Sequence, residues 1–300
     1  MSFDVIVVGG SFAGLAAALQ LARARRKVLV VDAGMPRNRF AAHSHGFLGH
    51  DGKAPAQILS ESIDQLLRYP TMSFRQGMAA TAAREGDGFR VTLDDGATVD
   101  AERLILALGV RDELPALPGL AERWGQTVVH CPYCHGYELE GPLGVLATHP
   151  SSAHQALLVP DWGPTTLFTQ GMLTLDEAEL AQLANRGVRI EPQPVVELLG
   201  EAPRLDGVRL ADERIVPMHG LFVAPRTRVA SPLAEQLGCE FDSGPLGSVI
   251  RVDGMQQTTV PGVFAAGDAA TLFTNATRAA SAGVMAGVAA HRSLFMGVAA

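Results

Sequence analysis

Asp4-Val5-Ile6-Val7-Val8-Gly9-Gly10-Ser11-Phe12-Ala13-Gly14 is the stretch that decides the fold of this chain. Its apolar residues 4–8 form a short strand, and the helix-forming run of residues 15–25 follows the glycines. A second apolar strand, residues 28–31, ends in Asp32. This order predicts a β-α-β unit with a phosphate-binding turn at the end of its first strand.

The glycines of this turn allow a tight bend and a close approach of the backbone to a ligand, while the following helix offers free N–H groups to a pyrophosphate. Ser11 stands where a middle glycine is usual, and its small side chain makes the replacement tolerable. Asp32 lies at the expected separation to accept hydrogen bonds from an adenosine ribose. The expected cofactor-binding residues of the turn are Gly9, Gly10, Ser11, Ala13 and Gly14.

The middle of the chain carries the run His130-Cys131-Pro132-Tyr133-Cys134-His135-Gly136. Two thiols separated by two residues can close and reopen a disulfide, which moves two electrons in each cycle. Such spacing lowers one thiol pKa, and His135 is a candidate to take or give the proton that thiolate chemistry requires. We therefore interpret Cys131 and Cys134 as a redox-active pair, with His135 as the candidate acid/base.

Other interpretations of the pair stay open. A structural zinc site needs four ligands, and the one further cysteine, Cys239, stands alone, so we expect no metal. The pattern C-x-x-C-H is also that of covalent haem attachment, which normally needs export. Residues 1–4 lead straight into an apolar strand without a basic region or a cleavage site, so we expect a cytoplasmic location. A purely structural disulfide is uncommon there.

Size and composition indicate a globular enzyme of two domains. The chain has 300 residues, of which 47% are hydrophobic and 18% charged, and this length exceeds one average core. A net charge of −7 argues against nucleic acid as a partner, because phosphate binding needs a concentrated basic face. Arg278, His291 and Arg292 interrupt the apolar residues 276–300, so we expect no membrane span.

A second motif lies near the C-terminus, in the run Val260-Pro261-Gly262-Val263-Phe264-Ala265-Ala266-Gly267-Asp268. The pattern predicts a strand that ends in Gly-Asp, followed by a helix over roughly residues 275–294. It resembles the second FAD motif of two-domain flavoprotein disulfide reductases. The resemblance implies that Asp268 hydrogen-bonds the ribityl chain and that the positive end of the helix faces the flavin, where it stabilises the anionic reduced form.

Over essentially its whole length the chain resembles the low-molecular-weight thioredoxin reductase family. Within that family the run CPYCHGYE is similar to the dithiol oxidases of gliotoxin- and holomycin-type natural products, because His135 follows the second cysteine where thioredoxin reductases usually have Asp. The resemblance implies that Cys134 lies against the flavin and that Cys131 exchanges with substrate. The further FAD contacts that it implies are Arg37, Asn38, His45, Asp51, Gly109, Gly267 and Asp268.

A thioredoxin reductase also needs a second β-α-β unit for NADPH. The corresponding run, residues 144–153, lacks a glycine-rich turn, and His149 and Pro150 stand where the backbone must approach a pyrophosphate. No Lys or Arg occurs from Trp124 through Asn185, so a 2′-phosphate would have no cationic partner to offset its desolvation. We expect this domain to keep a nucleotide-binding fold without binding NADPH.

These patterns predict an α/β protein of two Rossmann-like, three-layer domains of the thioredoxin reductase type. A discontinuous FAD-binding domain takes residues 1–113 and 222–300, and the NADPH-like domain with the redox pair takes residues 114–221. Short alternating runs between residues 72 and 99 predict a small β meander on the FAD domain.

The predicted activity is that of an FAD-dependent thiol–disulfide oxidoreductase that works without NADPH. It oxidises a dithiol to a disulfide, and the electrons pass through FAD to oxygen or another acceptor. One alternative is a thioredoxin reductase-type enzyme fed by NADPH or ferredoxin, and another is a flavin-binding redox sensor. Expected partners are a small dithiol or disulfide or a thioredoxin-like protein, and the resemblance implies a homodimer.

Overall fold

The structure is a computed structural model that describes residues 2–296. In chain order its strands are β1 (Ser2–Val8), β2 (Val28–Asp32), β3 (Met72–Gln76), β4 (Ala79–Glu85), β5 (Gly88–Leu93), β6 (Thr98–Leu106), β7 (Val110–Glu113), β8 (Val128–Val129), β9 (Leu143–Leu146), β10 (Thr165–Phe168), β11 (Arg189–Glu191), β12 (Val195–Leu199), β13 (Gly207–Leu210), β14 (Ile215–Pro217), β15 (Gly220–Val223), β16 (Arg226–Val229), β17 (Phe241–Gly244), β18 (Gly247–Ile250) and β19 (Val263–Ala265). Its helices are α1 (Phe12–Arg23), α2 (Pro55–Leu66), α3 (Pro132–His135), α4 (Ser152–Leu158), α5 (Glu177–Asn185), α6 (Leu233–Gln236) and α7 (Ala276–Met296).

The described residues fall into two compact units. Unit 1 takes those within Met1–Arg37, Pro55–Arg111 and Thr227–Ala300, and unit 2 takes Asn38–Ala54 and Asp112–Arg226. Strands β7 and β16 contain the last two points at which the chain passes from one unit to the other, and they pair in a two-stranded sheet.

Unit 1 is built on a sheet whose strand order is β3-β2-β1-β6-β5-β4, with β19 also paired to β6. Strands β3, β2, β1, β6 and β19 are parallel, and β5 and β4 add an antiparallel edge. Val5, Ile6 and Val7 of β1 are fully buried, as expected for a central parallel strand covered on both faces. Val8 pairs with Val31, so the ends of β1 and β2 meet at one edge of the sheet.

The predicted first β-α-β unit is present with a shifted helix. We expected the helix over residues 15–25, whereas α1 starts at Phe12 directly after its N-cap Ser11. It ends before Arg25, which takes a φ of 60°, a value incompatible with continuing the helix. The predicted C-terminal helix corresponds to α7, which begins at Ala276.

Unit 2 has a parallel five-stranded sheet in the order β11-β10-β9-β15-β8 and a separate antiparallel sheet, β12-β13-β14. Helix α4 connects the parallel neighbours β9 and β10. This β9-α4-β10 crossover repeats the topology of β1-α1-β2, so the prediction of an α/β protein with two nucleotide-type folds is confirmed.

One segment is grouped differently from the predicted domains. We assigned residues 38–54 to the FAD domain, whereas they group with unit 2. The reason is their contacts: Phe40 packs so closely on the backbone of Gly125 that a Cβ there would lie 2.7 Å from the Phe40 Cβ, and His45 Nε2 lies 3.5 Å from Glu138 Oε1.

The predicted meander over residues 72–99 is wrong in its first strand. Strand β3 is the parallel edge of the main sheet, with Met72 paired to Val28, while β4, β5 and β6 form the antiparallel meander. The apolar alternation of these short strands does not reveal which neighbour each one pairs with.

Candidate active site

The turn after β1 is closed to side chains. Gly9 has a φ of 105°, and a Cβ built on it would collide with the carbonyl oxygen of Ala107. A Cβ on Gly14 would likewise strike the carbonyl of Gly9, and one on Gly10 would lie 2.8 Å from the Asp32 Cβ. The backbone therefore fills the space that side chains would otherwise take, as a turn that approaches a pyrophosphate must.

Helix α1 begins at this turn without a side-chain cap. Ser11, its N-cap residue, makes no capping hydrogen bond within the described part of the chain. The first N–H groups of a helix have no partner inside the helix and carry its positive dipole end. This end of α1 therefore suits an anionic group seated on the turn.

Asp32 closes the far side of the turn. Its Oδ1 accepts a hydrogen bond from the Gly10 N–H at 2.8 Å, and its Oδ2 accepts one from the Gly34 N–H at 3.1 Å. These bonds hold the carboxylate at the end of β2, the position from which an acidic residue binds a ribose in dinucleotide folds.

The Gly-Asp motif lies against the same helix. Gly267 has a φ of 76°, and a Cβ on it would lie 2.9 Å from the Cβ of Ala13. Asp268 Oδ2 accepts a bond from Arg37 Nη1 at 3.2 Å, and the same nitrogen donates to Thr274 Oγ1 at 2.9 Å. The structure thus brings Arg37 and Asp268 together, although the sequence suggested them through separate motifs.

Helix α7 packs on α1 through glycines. A Cβ on Gly283 would collide with the carbonyl oxygen of Ala13, and one on Gly287 would lie 2.5 Å from that of Ala17. Asn275, just before α7, caps the helix by accepting from the Arg278 N–H at 2.7 Å. Close packing of small residues therefore holds the Gly-Asp motif and the dinucleotide turn in one unit.

These features fit FAD. A glycine cradle next to an uncapped helix start suits the pyrophosphate, and an acidic residue at the second strand end suits the ribose. Gly109, another expected contact, takes a φ of 65° after β6, and its carbonyl accepts a bond from the Ala230 N–H at 3.1 Å. Asn38, His45 and Asp51, also expected at the cofactor, belong to the segment that is grouped with unit 2.

The cysteine pair forms a disulfide in unit 2. Cys131 is the N-cap residue of the short helix α3, Pro132 occupies its first turn, and the Cys134 N–H donates to the Cys131 carbonyl at 3.3 Å. The two Cα atoms are 5.3 Å apart, a separation typical of disulfides. Both cysteines are partly exposed, as residues that exchange with a substrate need to be.

Two side chains hold this segment from behind. The Trp162 indole lies flat against Gly136, where a Cβ would come within 2.7 Å of it. The Trp162 and Tyr133 rings are nearly perpendicular, with their centroids 5.3 Å apart. Gln155 of α4 donates from Nε2 to the His130 carbonyl at 2.7 Å. The helix that would serve a nucleotide in unit 2 thus supports the disulfide.

His135 lies in a cluster of titratable side chains that the sequence did not reveal. Burial lowers the pKa of His135, Glu138 raises it, and His45 lowers it. His45 lies 3.5 Å from Glu138 through Nε2 and 3.7 Å from Asp51 Oδ1 through Nδ1. We call His135, Glu138, His45 and Asp51 the proton cluster.

The turn after β9 differs from the turn after β1. Ser152 is fully buried at the start of α4, and its Oγ accepts from the N–H groups of Thr148 and His149 at 3.2 and 3.4 Å. The His149 ring accepts from the Ser151 N–H at 3.2 Å. Three backbone N–H groups of this turn are therefore already bound to side chains of the turn itself.

Gln170, just after β10, is also held by a hydrogen bond within unit 2. Gln170 takes a φ of 58° there, and its Oε1 accepts a bond from the Val195 N–H at 2.9 Å. No Lys or Arg stands in this part of the sequence. Within residues 2–296, no group of three or more His, Cys, Asp or Glu is arranged to hold a metal. Over the same residues, no helix combines the length and the apolar character needed to cross a bilayer.

The chain is similar to known proteins along its length. It matches the pyridine nucleotide-disulphide oxidoreductase family over residues 3–143 and 169–284. Thioredoxin reductase tcpT from Claviceps purpurea is 34% identical, over 97% of this chain and 94% of that protein. The crystal structure of an oxidoreductase from Agrobacterium tumefaciens is 51% identical with a TM-score of 0.95, over 99% of this chain and 100% of that one. The crystal structure of HlmI is 39% identical with a TM-score of 0.91, over 98% and 92%.

The family match spans both the first dinucleotide turn and the Gly-Asp motif, and it reaches past the cysteine pair. The structural matches extend over the remaining residues as well. This chain accordingly belongs to the pyridine nucleotide-disulphide oxidoreductase family and is an FAD-dependent, thioredoxin reductase-like disulfide oxidoreductase.

Proposed function

We propose that this enzyme oxidises a dithiol substrate to a disulfide and does so without NADPH. The observation that carries the proposal is the contrast between the two turns. The turn after β1 is built from glycines whose backbone leaves no room for side chains, whereas in the turn after β9 the side chains of Ser152 and His149 already accept bonds from backbone N–H groups. The interval that the family match leaves out, residues 144–168, contains this second turn.

Electrons that do not come from NADPH have to come from the substrate. A substrate thiolate attacks Cys131 Sγ, which breaks the Cys131–Cys134 bond, forms a mixed disulfide and releases Cys134 as a thiolate. The second substrate thiolate then attacks the substrate sulfur of the mixed disulfide, which closes the substrate disulfide and releases Cys131. The substrate has lost two electrons and two protons, and the enzyme now holds the reduced pair.

The dinucleotide turn, Asp32 and Asp268 would hold FAD, which would supply the acceptor for the electron pair of the reduced cysteines and a route to oxygen or another final acceptor. The proton cluster takes the protons. His135 has a lowered pKa, so its imidazole is neutral and can accept a proton from a thiol. The other members of the cluster lead from His135 to the surface. Glu138 Oε1 lies 3.5 Å from His45 Nε2, and His45 Nδ1 lies 3.7 Å from Oδ1 of Asp51, whose side chain is 69% exposed.

Anaerobic titration of the FAD-loaded enzyme tests the direction of electron flow. The flavin absorbance near its visible maximum is followed while NADPH and then dithiothreitol are added in stoichiometric steps. We expect bleaching by the dithiol alone, with Cys131→Ser as the control that no longer bleaches. Bleaching by NADPH, or by reduced ferredoxin, would overturn the proposal in favour of a disulfide reductase that acts on thioredoxin-like proteins.

The proposed partner is a small dithiol and the proposed location is cytoplasmic. The proposed assembly is a homodimer, as the family resemblance implies. Sedimentation velocity of the FAD-loaded enzyme tests the assembly, because a dimer has twice the 31.6 kDa mass of one chain. A single species at the monomer mass over micromolar concentrations contradicts it.

A further inference from the structure

Arg37 is the last residue of unit 1 before the chain enters the loop of unit 2. Its Nη1 donates to Asp268 at 3.2 Å and to Thr274 at 2.9 Å. These two acceptors stand at either end of the segment between the Gly-Asp motif and α7. One guanidinium therefore links both ends of this segment and places a positive charge beside the Asp268 carboxylate.

This ion pair is shielded from water. Both side chains are 18% exposed, whereas the Arg251–Asp242 pair of the same unit is 47% and 53% exposed. Charges near a protein surface interact weakly because water screens them, and the interaction strengthens as water is excluded. Removal of Arg37 would therefore leave a carboxylate whose charge is felt by its neighbours.

Asp268 is held next to the start of α1. The preceding Gly267 packs on Ala13 in the first turn of that helix, and the Asp268 side chain points to Arg37 from the same 3₁₀ turn. Since the dinucleotide turn lies at this end of α1, the carboxylate belongs to the cofactor site. Fixed charges near a bound flavin alter its electronics, and a positive charge favours the anionic reduced form.

We propose that Arg37 is a positioning residue that sets the reduction potential of the bound flavin by neutralising Asp268. The inference rests on the proposed place of Asp268 in the FAD site and is independent of the direction of electron flow. If NADPH bleaches the flavin, the inference about Arg37 still stands. If the inference about Arg37 fails, the proposed dithiol chemistry still stands.

The charges fix the sign of each effect. Arg37→Gln removes a positive charge from beside Asp268, so the reduced flavin loses stability and the potential falls. Asp268→Asn removes the negative charge and the potential rises. In the double variant neither charge is present, and the potential returns toward that of the unmodified enzyme. We expect each single change to alter the ratio of reduced to oxidised flavin about tenfold, which corresponds to about 30 mV for a two-electron couple.

Spectroelectrochemical titration of the FAD-loaded enzyme against a reference dye measures these potentials. Arg37→Lys keeps the positive charge, so its potential is expected to stay close to that of the unmodified enzyme. Arg251→Gln, which removes an exposed guanidinium of unit 1, is expected to leave the potential unchanged. If Arg37→Gln loses FAD, Asp268→Asn and Arg37→Lys still test the proposal. A potential that does not rise in Asp268→Asn overturns it. So does a shift of the same sign in Arg37→Gln and Asp268→Asn, or no shift in Arg37→Gln with FAD retained.

Discussion

Cys131 and Cys239 show how differently the same side chain is used in one protein. Cys131 forms a disulfide at the start of a short helix and is partly exposed. Cys239 is buried in unit 1 beside Thr258, and burial raises the pKa of its thiol. A buried, protonated thiol is a poor nucleophile, so Cys239 is a small apolar core residue.

Replacement of Cys131 tests the exchange chemistry. Cys131→Ser is expected to lower dithiol turnover at least about a thousandfold, because the sulfur that the substrate attacks is gone. The flavin is expected to stay bound and oxidised, which its absorbance spectrum measures. Cys239→Ser is the matched control and is expected to keep turnover. Turnover retained in Cys131→Ser contradicts the mechanism.

The pH profile of kcat/KM reports on His135. Burial lowers the pKa of His135 below its ordinary value of 6.5, so the imidazole stays neutral, and active as a base, to a lower pH than an exposed histidine. Activity is then lost on the acid side only as the pH falls through the lowered pKa. His135→Gln is expected to reduce the rate about a hundredfold, within the range typical of general acid–base groups.

Glu138 provides a second test of the same group. Its carboxylate raises the pKa of His135, so Glu138→Gln is expected to lower that pKa further and move the acid limb of the profile to lower pH. His45 also faces His135 and acts in the opposite direction, so His45→Gln is expected to move the limb to higher pH. An acid limb that stays in place in both variants rules out His135 as the titrating base.

Two helix starts separate the roles of the two nucleotide-type folds. Helix α1 follows a glycine turn, has no side-chain cap and packs on α7 through glycines. The turn before α4 is bonded to its own side chains, Ser152 and His149, and Gln155 of α4 bonds to the His130 carbonyl beside the disulfide. The same topology therefore serves a cofactor in one unit and supports the redox segment in the other.

The contact between α1 and α7 is expected to be sensitive to a single methyl group. In Gly283→Ala the new Cβ would collide with the Ala13 carbonyl, and overpacking of this kind destabilises by about 1–3 kcal/mol. Urea unfolding measured by flavin fluorescence reports on unit 1, whereas tryptophan emission reports on unit 2, because Trp124 and Trp162 both lie there. The urea midpoint measured by flavin fluorescence is expected to fall more than the urea midpoint measured by tryptophan emission. Ser281→Ala, an exposed change on α7, is the control.

At the scale of the whole molecule, each unit has hydrophobic clusters of its own. In unit 1 two clusters cover the two faces of the main sheet, with Ile6 in one and Val7 in the other. In unit 2 Leu221 and Phe222 are divided in the same way between two clusters. Each unit therefore has the core that a folded domain needs, and a ligand can stabilise one of them selectively.

Amide hydrogen exchange with and without FAD tests this division. FAD at a hundredfold excess over its Kd stabilises the state that binds it by about 2.7 kcal/mol. We expect slower exchange in residues 9–15 and 266–271 and no change in residues 147–153 at the start of α4. NADPH is expected to protect neither region. Protection of residues 147–153 by NADPH would show that the second turn binds a nucleotide after all.

Local patterns in the sequence were sufficient to predict the first β-α-β unit, the cysteine pair and the Gly-Asp strand. Each of these depends on a few neighbouring residues whose conformational preferences act locally, such as the apolar run of β1 before Gly9. The edge position of β3 was not predictable, because the partner of a short strand is set by the competition of all strands for one sheet.

By itself the sequence determined where the chain can turn, which thiols are spaced to pair, and where cations are lacking at the second nucleotide fold. Three features depend on the packing of the folded chain: the loop of His45 joins unit 2, His45 lies near Glu138, and Arg37 contacts Asp268 although 231 positions separate them. The two sets differ in the range of the interactions that produce them. Backbone preferences act over a few residues, whereas side-chain pairing depends on the packing of the whole unit that brings distant residues together.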